Sequence, residues 1–244
     1  MPDIEYEKTL IVVAASPEST LDQLKDLQEI AGLSVSTPKT QTQRDVYFDT
    51  GDGRLADRRI ALRLRLSGTV KIGLKGPTFE SQRTEIEGLW PNAIESVYRA
   101  LEQFGVNHQR PVPDREHPVD AMKSTGLQII HDRMNERTTL VLKTKKQEAG
   151  EIVLDRVTYQ ISGQEVYHFE IEVEAYNSEH IERVQEVSSV LLNTFKDQLL
   201  EADVGKLSLG LLLEQLQDEG MLRPCLTSCN TIRPDAYSGL LSRL

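Results

Sequence analysis

Apolar and polar positions alternate along most of this chain, with a period of two. That period marks strands with one face turned from water. It predicts strands at about 4–13, 41–49, 59–67, 70–75, 82–88, 127–135, 137–144, 150–161 and 165–175. Gly-Asp-Gly at 51–53, Ser67-Gly68 and Gly76-Pro77 punctuate them, and Gln147-Glu148-Ala149-Gly150 suits a hairpin. The period changes to that of a helix in four places. After Ser16-Pro17-Glu18, Leu21, Leu24, Leu27 and Ile30 share a face up to Gly32. From Pro91, Ile94, Val97, Leu101 and Phe104 do the same. A third helix is expected at roughly 179–200, on Ile181, Val184, Val187, Leu191 and Leu192, and a short fourth at 207–218. Residues 107–120, with Pro111, Pro113 and Pro118, read as a loop or edge segment. The pattern predicts an α+β fold, mainly antiparallel β, as a barrel or sandwich with peripheral helices. One domain is expected over 1–215, followed by a C-terminal tail of uncertain order over 216–244.

Composition narrows the class. The 244 residues are 39% hydrophobic and 27% charged, enough to bury a core and too mixed in sign for general disorder. The formal net charge is −10, from 38 acids against 28 bases. A chain this acidic is a poor partner for a nucleic-acid duplex. It has no run long enough to span a membrane and no signal-peptide start, so no membrane partner is expected. Cys225 and Cys229 make no disulfide framework, which suits a reduced, cytoplasmic chain.

The charged residues obey the strand period. Arg63 and Arg65 share a face opposite Leu62, Leu64 and Leu66. Arg83, Glu85 and Glu87 share one, as do Glu5 and Glu7, Glu151 and Asp155, and Glu170, Glu172 and Glu174. Arg133 and Arg137 share one if their strand is continuous, and His131 has the parity of Arg133. For any single strand, a sheet with one wet face explains this pattern. Taken together, acids gather on some strands and arginines on others, opposite Leu, Ile, Val and Phe. That fits a closed barrel whose polar face looks inward. Clustered bases repel one another unless an anion joins them, and clustered carboxylates need a cation. Hard divalent ions prefer carboxylate and phosphate oxygens, and arginine grips phosphate bidentately. The pattern therefore points to a metal-assisted polyphosphate site. No Walker A sequence, HExxH pair or Gly-x-Ser-x-Gly element is present.

Specific runs carry a family resemblance. Glu5-Tyr6-Glu7-Lys8-Thr9 resembles the N-terminal ExExK strand of the CYTH family, the triphosphate tunnel metalloenzymes. Tyr47-Phe48-Asp49-Thr50 with Ala61-Leu62-Arg63-Leu64-Arg65 is similar to its YFDT…LRLR stretch. Leu74-Lys75-Gly76-Pro77, Arg83-Thr84-Glu85-Ile86-Glu87, Arg137-Thr138-Thr139, Leu154-Asp155-Arg156-Val157 and Phe169-Glu170-Ile171-Glu172-Val173-Glu174 match later family elements in order, over about residues 4–210. The resemblance implies a closed tunnel barrel of about eight strands, with Mg²⁺ or Mn²⁺. It implies metal binding at Glu5, Glu7, Glu170, Glu172 and Glu174. It places phosphate at Arg63, Arg65, Lys75, Arg83, Arg133, Arg137 and Lys206, with catalytic roles for Glu5, Glu7, Lys75 and Arg83.

The implied activity is a triphosphatase, a hydrolase of inorganic triphosphate or a small organic triphosphate. One departure bears on it: Thr9 stands where the motif has lysine, and Lys8 lies on the other face of the strand. A tunnel that binds polyphosphate or nucleotide with weak or no turnover is the alternative, and a class IV-type adenylate cyclase is a third. Oligomeric state is not legible.

Overall fold

The computed structural model describes residues 6–79, 82–202 and 204–244, with side chains outside 77–84. Glu5 lies outside the described residues, and so does the side chain of Arg83. In chain order the elements are β1 (Tyr6–Val12), α1 (Pro17–Lys25), β2 (Glu29–Ile30), β3 (Leu33–Val35), β4 (Lys39–Thr50) and α2 (Arg54–Asp57). There follow β5 (Ala61–Leu66), β6 (Val70–Phe79), β7 (Gln82–Leu89), α3 (Ile94–Gln103), α4 (Pro118–Lys123) and β8 (Leu127–Lys143). The last are β9 (Glu148–Ile161), β10 (Gln164–Ala175), α5 (Ile181–Thr194), β11 (Leu199–Glu201), α6 (Lys206–Asp218) and α7 (Tyr237–Leu241).

The strands are hydrogen-bonded in the order β11-β1-β10-β9-β8-β4-β5-β6-β7, with β2 and β3 attached beside β8. The expected α+β, mainly antiparallel class is present. The expected closure into an eight-stranded barrel is not made by hydrogen bonds: the sheet has 11 strands, and among the described residues no pair joins β11 to β7.

Three local differences from the sequence reading have physical causes. Helix α1 stops at Lys25, although the apolar spacing continues to Ile30. Ala31 and Gly32 take positive φ values of 49° and 71° and turn the chain into the β2–β3 hairpin, so Ile30 reaches the core from a strand. The expected strands at 127–135 and 137–144 are one strand, because Asn135-Glu136 does not break the extended backbone. Pro118 opens a short helix, α4, at the end of the expected loop.

The chain divides into two compact units, one over residues 43–134, the other over 3–42 with 135–244. In the first, Val46, Phe48, Leu62, Leu64, Ile72 and Leu74 form a dry face that packs with Ile94, Val97, Tyr98, Leu101 and Met122. Burying each such side chain stabilises by about 1.5–3 kcal/mol. The register fixes the alternate positions on the opposite face.

In the second unit, Leu10, Val12, Ile152, Leu154, Ile171 and Val173 pack with Val184, Val187 and Leu191 of α5. The opposite face is divided. Ile11, Val157, Tyr159, Ile161 and Val166 carry α6 and α7 through Leu209, Leu213, Tyr237 and Leu240. Asp155, Glu170 and Glu172 stand on the same parity farther along. Helix α6 runs across the expected boundary at 215/216, and Leu222, Leu226, Ile232, Tyr237 and Leu240 beyond it are buried. A Cβ on Gly150 would lie 2.1 Å from the Glu174 carbonyl oxygen, so only glycine allows β9 to approach β10 there.

Candidate functional site

The polar face of the first unit is a network of cations around three carboxylates. Asp45, fully buried, accepts from Arg65 Nε at 2.8 Å and Nη2 at 3.0 Å, and from Arg133 Nη2 at 3.0 Å. Arg63 Nη1 lies 3.7 Å from the same carboxylate. Arg63 Nη2 donates to Glu87 at 2.9 Å and lies 3.7 Å from Glu85. Lys71 donates to Glu87 and Lys75 pairs with Glu85, each at 2.9 Å. Arg133 also donates to the Tyr47 hydroxyl at 2.9 Å, and its guanidinium lies 5.1 Å from the Tyr47 ring centroid.

Among the described residues of this network, five cations face three carboxylates. Burial favours the neutral acid of Asp45. The Arg65 hydrogen bond and the charges of Arg133 and Arg63 outweigh it and hold the carboxyl well below the usual carboxylate range. Glu87 is also lowered: burial opposes, while its bond from Lys71 and the charge of Arg63 prevail.

Asp49, in the Tyr-Phe-Asp-Thr run, has a different task. Its carboxylate accepts from the backbone N–H groups of Leu55 at 2.8 Å, Ala56 at 3.0 Å and Thr50 at 2.7 Å. It holds the turn into α2 and joins no cation of the network.

The second unit carries the opposite balance. Register places Glu170 opposite Asp155 across β10–β9, with Glu172 two residues along on the same face. One oxygen from each of these carboxylates lies within 4.8 Å of the others. The Lys206 ammonium, at the first turn of α6, bonds Glu170 and Glu172 and lies 3.0 Å from Asp155. Arg137 donates to Asp155 through Nε at 2.9 Å and Nη2 at 2.6 Å, and to Glu172 at 2.6 Å. Two cations thus meet three carboxylates. Burial acts to raise the Asp155 carboxyl, but the charges of Lys206 and Arg137 hold it well below its ordinary value. Oxygen donors gathered this closely fit a hard divalent cation.

The sequence-predicted residues divide accordingly. Arg63, Arg65, Lys75 and Arg133 enter the first network. Arg137, Lys206, Glu170 and Glu172 enter the second. Glu174 is on the same face as Glu172, opposite Glu7 in register, but outside the close carboxylate group. Glu7 is exposed and accepts from Thr9 Oγ1 at 3.4 Å. Thr9 stands opposite Glu172, whereas Lys8 bonds Glu201; the lysine does not take the threonine's place.

Sequence reasoning did not assign Asp45, Lys71, Asn135 or Tyr237, and for His168 it gave only a shared parity with Glu170. Asp45 has the parity of Tyr47 and is legible on that ground. His168 shares the parity of Glu170, and its Nε2 lies 2.8 Å from a Glu170 oxygen. Asn135 has the parity of Arg137; it is 1% exposed, and neither atom of its amide has a hydrogen-bond partner among the described residues. Tyr237, which approaches His168, gave no sequence signal at all.

Comparison with known proteins agrees with this architecture. The CYTH domain family matches residues 14–197, more than half of the chain. The chain belongs to the CYTH family. Its fold is similar to that of a candidate adenylyl cyclase from Hippeastrum with a dominant triphosphatase activity, at TM-score 0.54 and 18% identity, covering 84% of this chain and 94% of that one. It is also similar to a candidate adenylate cyclase from Bacillus halodurans, at TM-score 0.51 and 20% identity, covering 84% and 95%. No curated protein is significantly similar in sequence. No described helix is long and apolar enough to cross a membrane.

Proposed function

We propose that this protein is a metal-dependent triphosphatase acting on inorganic triphosphate or a small organic triphosphate. The observation that carries the reading is the opposite charge balance of its two networks. Five cations around three carboxylates leave positive charge for phosphate oxygens. Three close carboxylates with two cations leave negative charge for a divalent ion. Family membership supports the same chemistry.

In this reading Arg63, Arg65, Lys75 and Arg133 bind phosphate oxygens. The carboxylates beside them keep each guanidinium oriented in advance, which is how fixed charge stabilises a transition state. Arg83 is assigned with them from the motif alone. Asp155, Glu170 and Glu172 would hold Mg²⁺ or Mn²⁺, with Glu5, Glu7 and Glu174 assigned to the same task from the motif. The ion would supply charge to offset the phosphate chain. Arg137 and Lys206 hold Asp155 ionised and bond Glu172 beside it. Catalytic roles for Glu5 and Glu7 rest on the family pattern. Two free cysteines support a reducing, cytoplasmic setting.

Thr9 supports a second reading, a module that retains triphosphate with little turnover. It stands opposite Glu172 in register and brings no charge to that face. Phosphate release from inorganic triphosphate, ATP and thiamine triphosphate, with Mg²⁺ and with Mn²⁺, separates the two. Metal-dependent release is expected. Thermal stabilisation by triphosphate without release would replace the enzyme with the binding module. Release that is unchanged in Glu172→Gln would overturn the metal assignment.

A further inference from the structure

The end of the chain reaches the carboxylate group. Tyr237 opens α7, beyond residue 197 where the family match ends. It is buried among side chains that include Ile11, Val157, Val166 and Leu213. Its hydroxyl lies 2.8 Å from His168 Nδ1, and the two rings are 5.7 Å apart at 53°. His168 Nε2 lies 2.8 Å from Glu170 Oε2, while the other Glu170 oxygen meets Lys206. Tyr237, His168 and Glu170 are 1%, 1% and 2% exposed, so bulk water does not substitute for any of these partners.

A neutral imidazole has one donor and one acceptor nitrogen, and its neighbours decide which is which. Glu170 can only accept when ionised. A Glu170 carboxylate oxygen has no proton to give, so a neutral His168 presents its Nε2 proton to it. Nδ1 is then the acceptor and needs a donor. Burial pushes the Tyr237 hydroxyl above its ordinary pKa, so it remains a donor. The direction of every bond in the series is thereby set, from Tyr237 to His168 to Glu170.

We propose that Tyr237 is a positioning residue for the carboxylate group. Acting through His168, it fixes the tautomer that holds Glu170 Oε2, and so fixes how Glu170 presents its other oxygen to a bound cation. The proposal rests on the reading of Asp155, Glu170 and Glu172 as a divalent-cation site. It gives the segment after α6, which the family match does not include, a part in that site.

The test is direct Mn²⁺ binding to the full chain by calorimetry, for the parent, Tyr237→Phe, His168→Gln and the double variant. Groups that orient a metal-binding side chain typically change affinity by about 10–100-fold. Tyr237→Phe is expected to weaken Mn²⁺ about tenfold, with cooperative unfolding retained. The double variant is expected to bind no more weakly than His168→Gln alone. Unchanged affinity in Tyr237→Phe overturns the proposal, and so do additive losses in the double variant. Imidazole ¹⁵N shifts of the parent test it without any substitution: a proton on Nε2 alone is expected, and one on Nδ1 overturns it. A parent chain that binds no Mn²⁺, with or without inorganic triphosphate, instead overturns the metal-site reading on which the proposal stands.

Discussion

Arg63 passes over Gly73 to reach Glu87. The three residues are aligned across β5, β6 and β7, and a Cβ on Gly73 would lie 3.5 Å from both Arg63 Nε and a Glu87 oxygen. The missing side chain is what lets a guanidinium cross a whole strand in its bonded conformation. Gly73→Ala adds only ordinary contact and is expected to be tolerated. Gly73→Leu is expected to displace Arg63 and weaken triphosphate binding at least tenfold, since a charge-assisted bond is worth about 1.5–3 kcal/mol. Calorimetric titration with inorganic triphosphate checks both.

Asp45 is the shared acceptor of its network. Removing its charge leaves buried guanidinium groups without their anion, and breaking a buried pair from one side costs about 3–5 kcal/mol. Asp45→Asn is expected to destabilise by that order in urea unfolding. A loss below about 1 kcal/mol would mean that Arg63, Arg65 and Arg133 find other partners.

Acid has a stated direction of effect. The folded carboxyls of Asp45 and Asp155 are depressed, whereas an unfolded aspartate titrates near about 3.9. A depressed carboxylate contributes stability that is present above the unfolded value and is lost as pH falls toward the folded one. The thermal midpoint is expected to fall as pH drops below about 4. Asp155→Asn is expected to start lower and to depend less steeply on pH in that window. Scanning calorimetry between those limits reads the slope.

Thr9 adds no charge where its strand faces Glu172. Thr9→Lys is expected to raise the rate of phosphate release about tenfold, the low end of a charge-assisted contact realised in the transition state. Steady-state kinetics with inorganic triphosphate decide it, and an unchanged kcat/KM would show that this position contributes nothing to turnover.

Asn135 keeps a buried amide without partners among the described residues. A buried polar group left unpaired costs about 1–3 kcal/mol. Asn135→Leu is expected to stabilise the protein in urea unfolding and to weaken triphosphate binding, a trade that points to the amide's use for a ligand. Stabilisation with unchanged binding would assign the amide no such use.

Much of this was legible from the strand period. Leu62, Leu64 and Leu66 against Arg63 and Arg65 placed the dry and charged faces correctly, because parity in a strand is rigid. The same parity put Glu170 with Glu172 and separated Lys8 from Thr9. What the period does not carry is distance along the chain. Lys206 joins Asp155 from the start of a helix, and Tyr237 meets His168 from α7. Nor does the period show where one face changes character. Val157 and Tyr159 follow the parity of Asp155, yet they lie under α6 in an apolar core. The open hydrogen-bonding order was also beyond reach, since strand pattern alone does not say which edges meet.

Asp49 sits inside a motif that invites a reactive role, but its oxygens are spent on three amides of its own loop. Replacing it would unfasten the bend that returns the chain from β4 to β5, and with it the alignment of Tyr47 against Arg63. A dead Asp49 variant would therefore be an injury to scaffolding, on the strand that carries Asp45 and Tyr47 but outside their bonds.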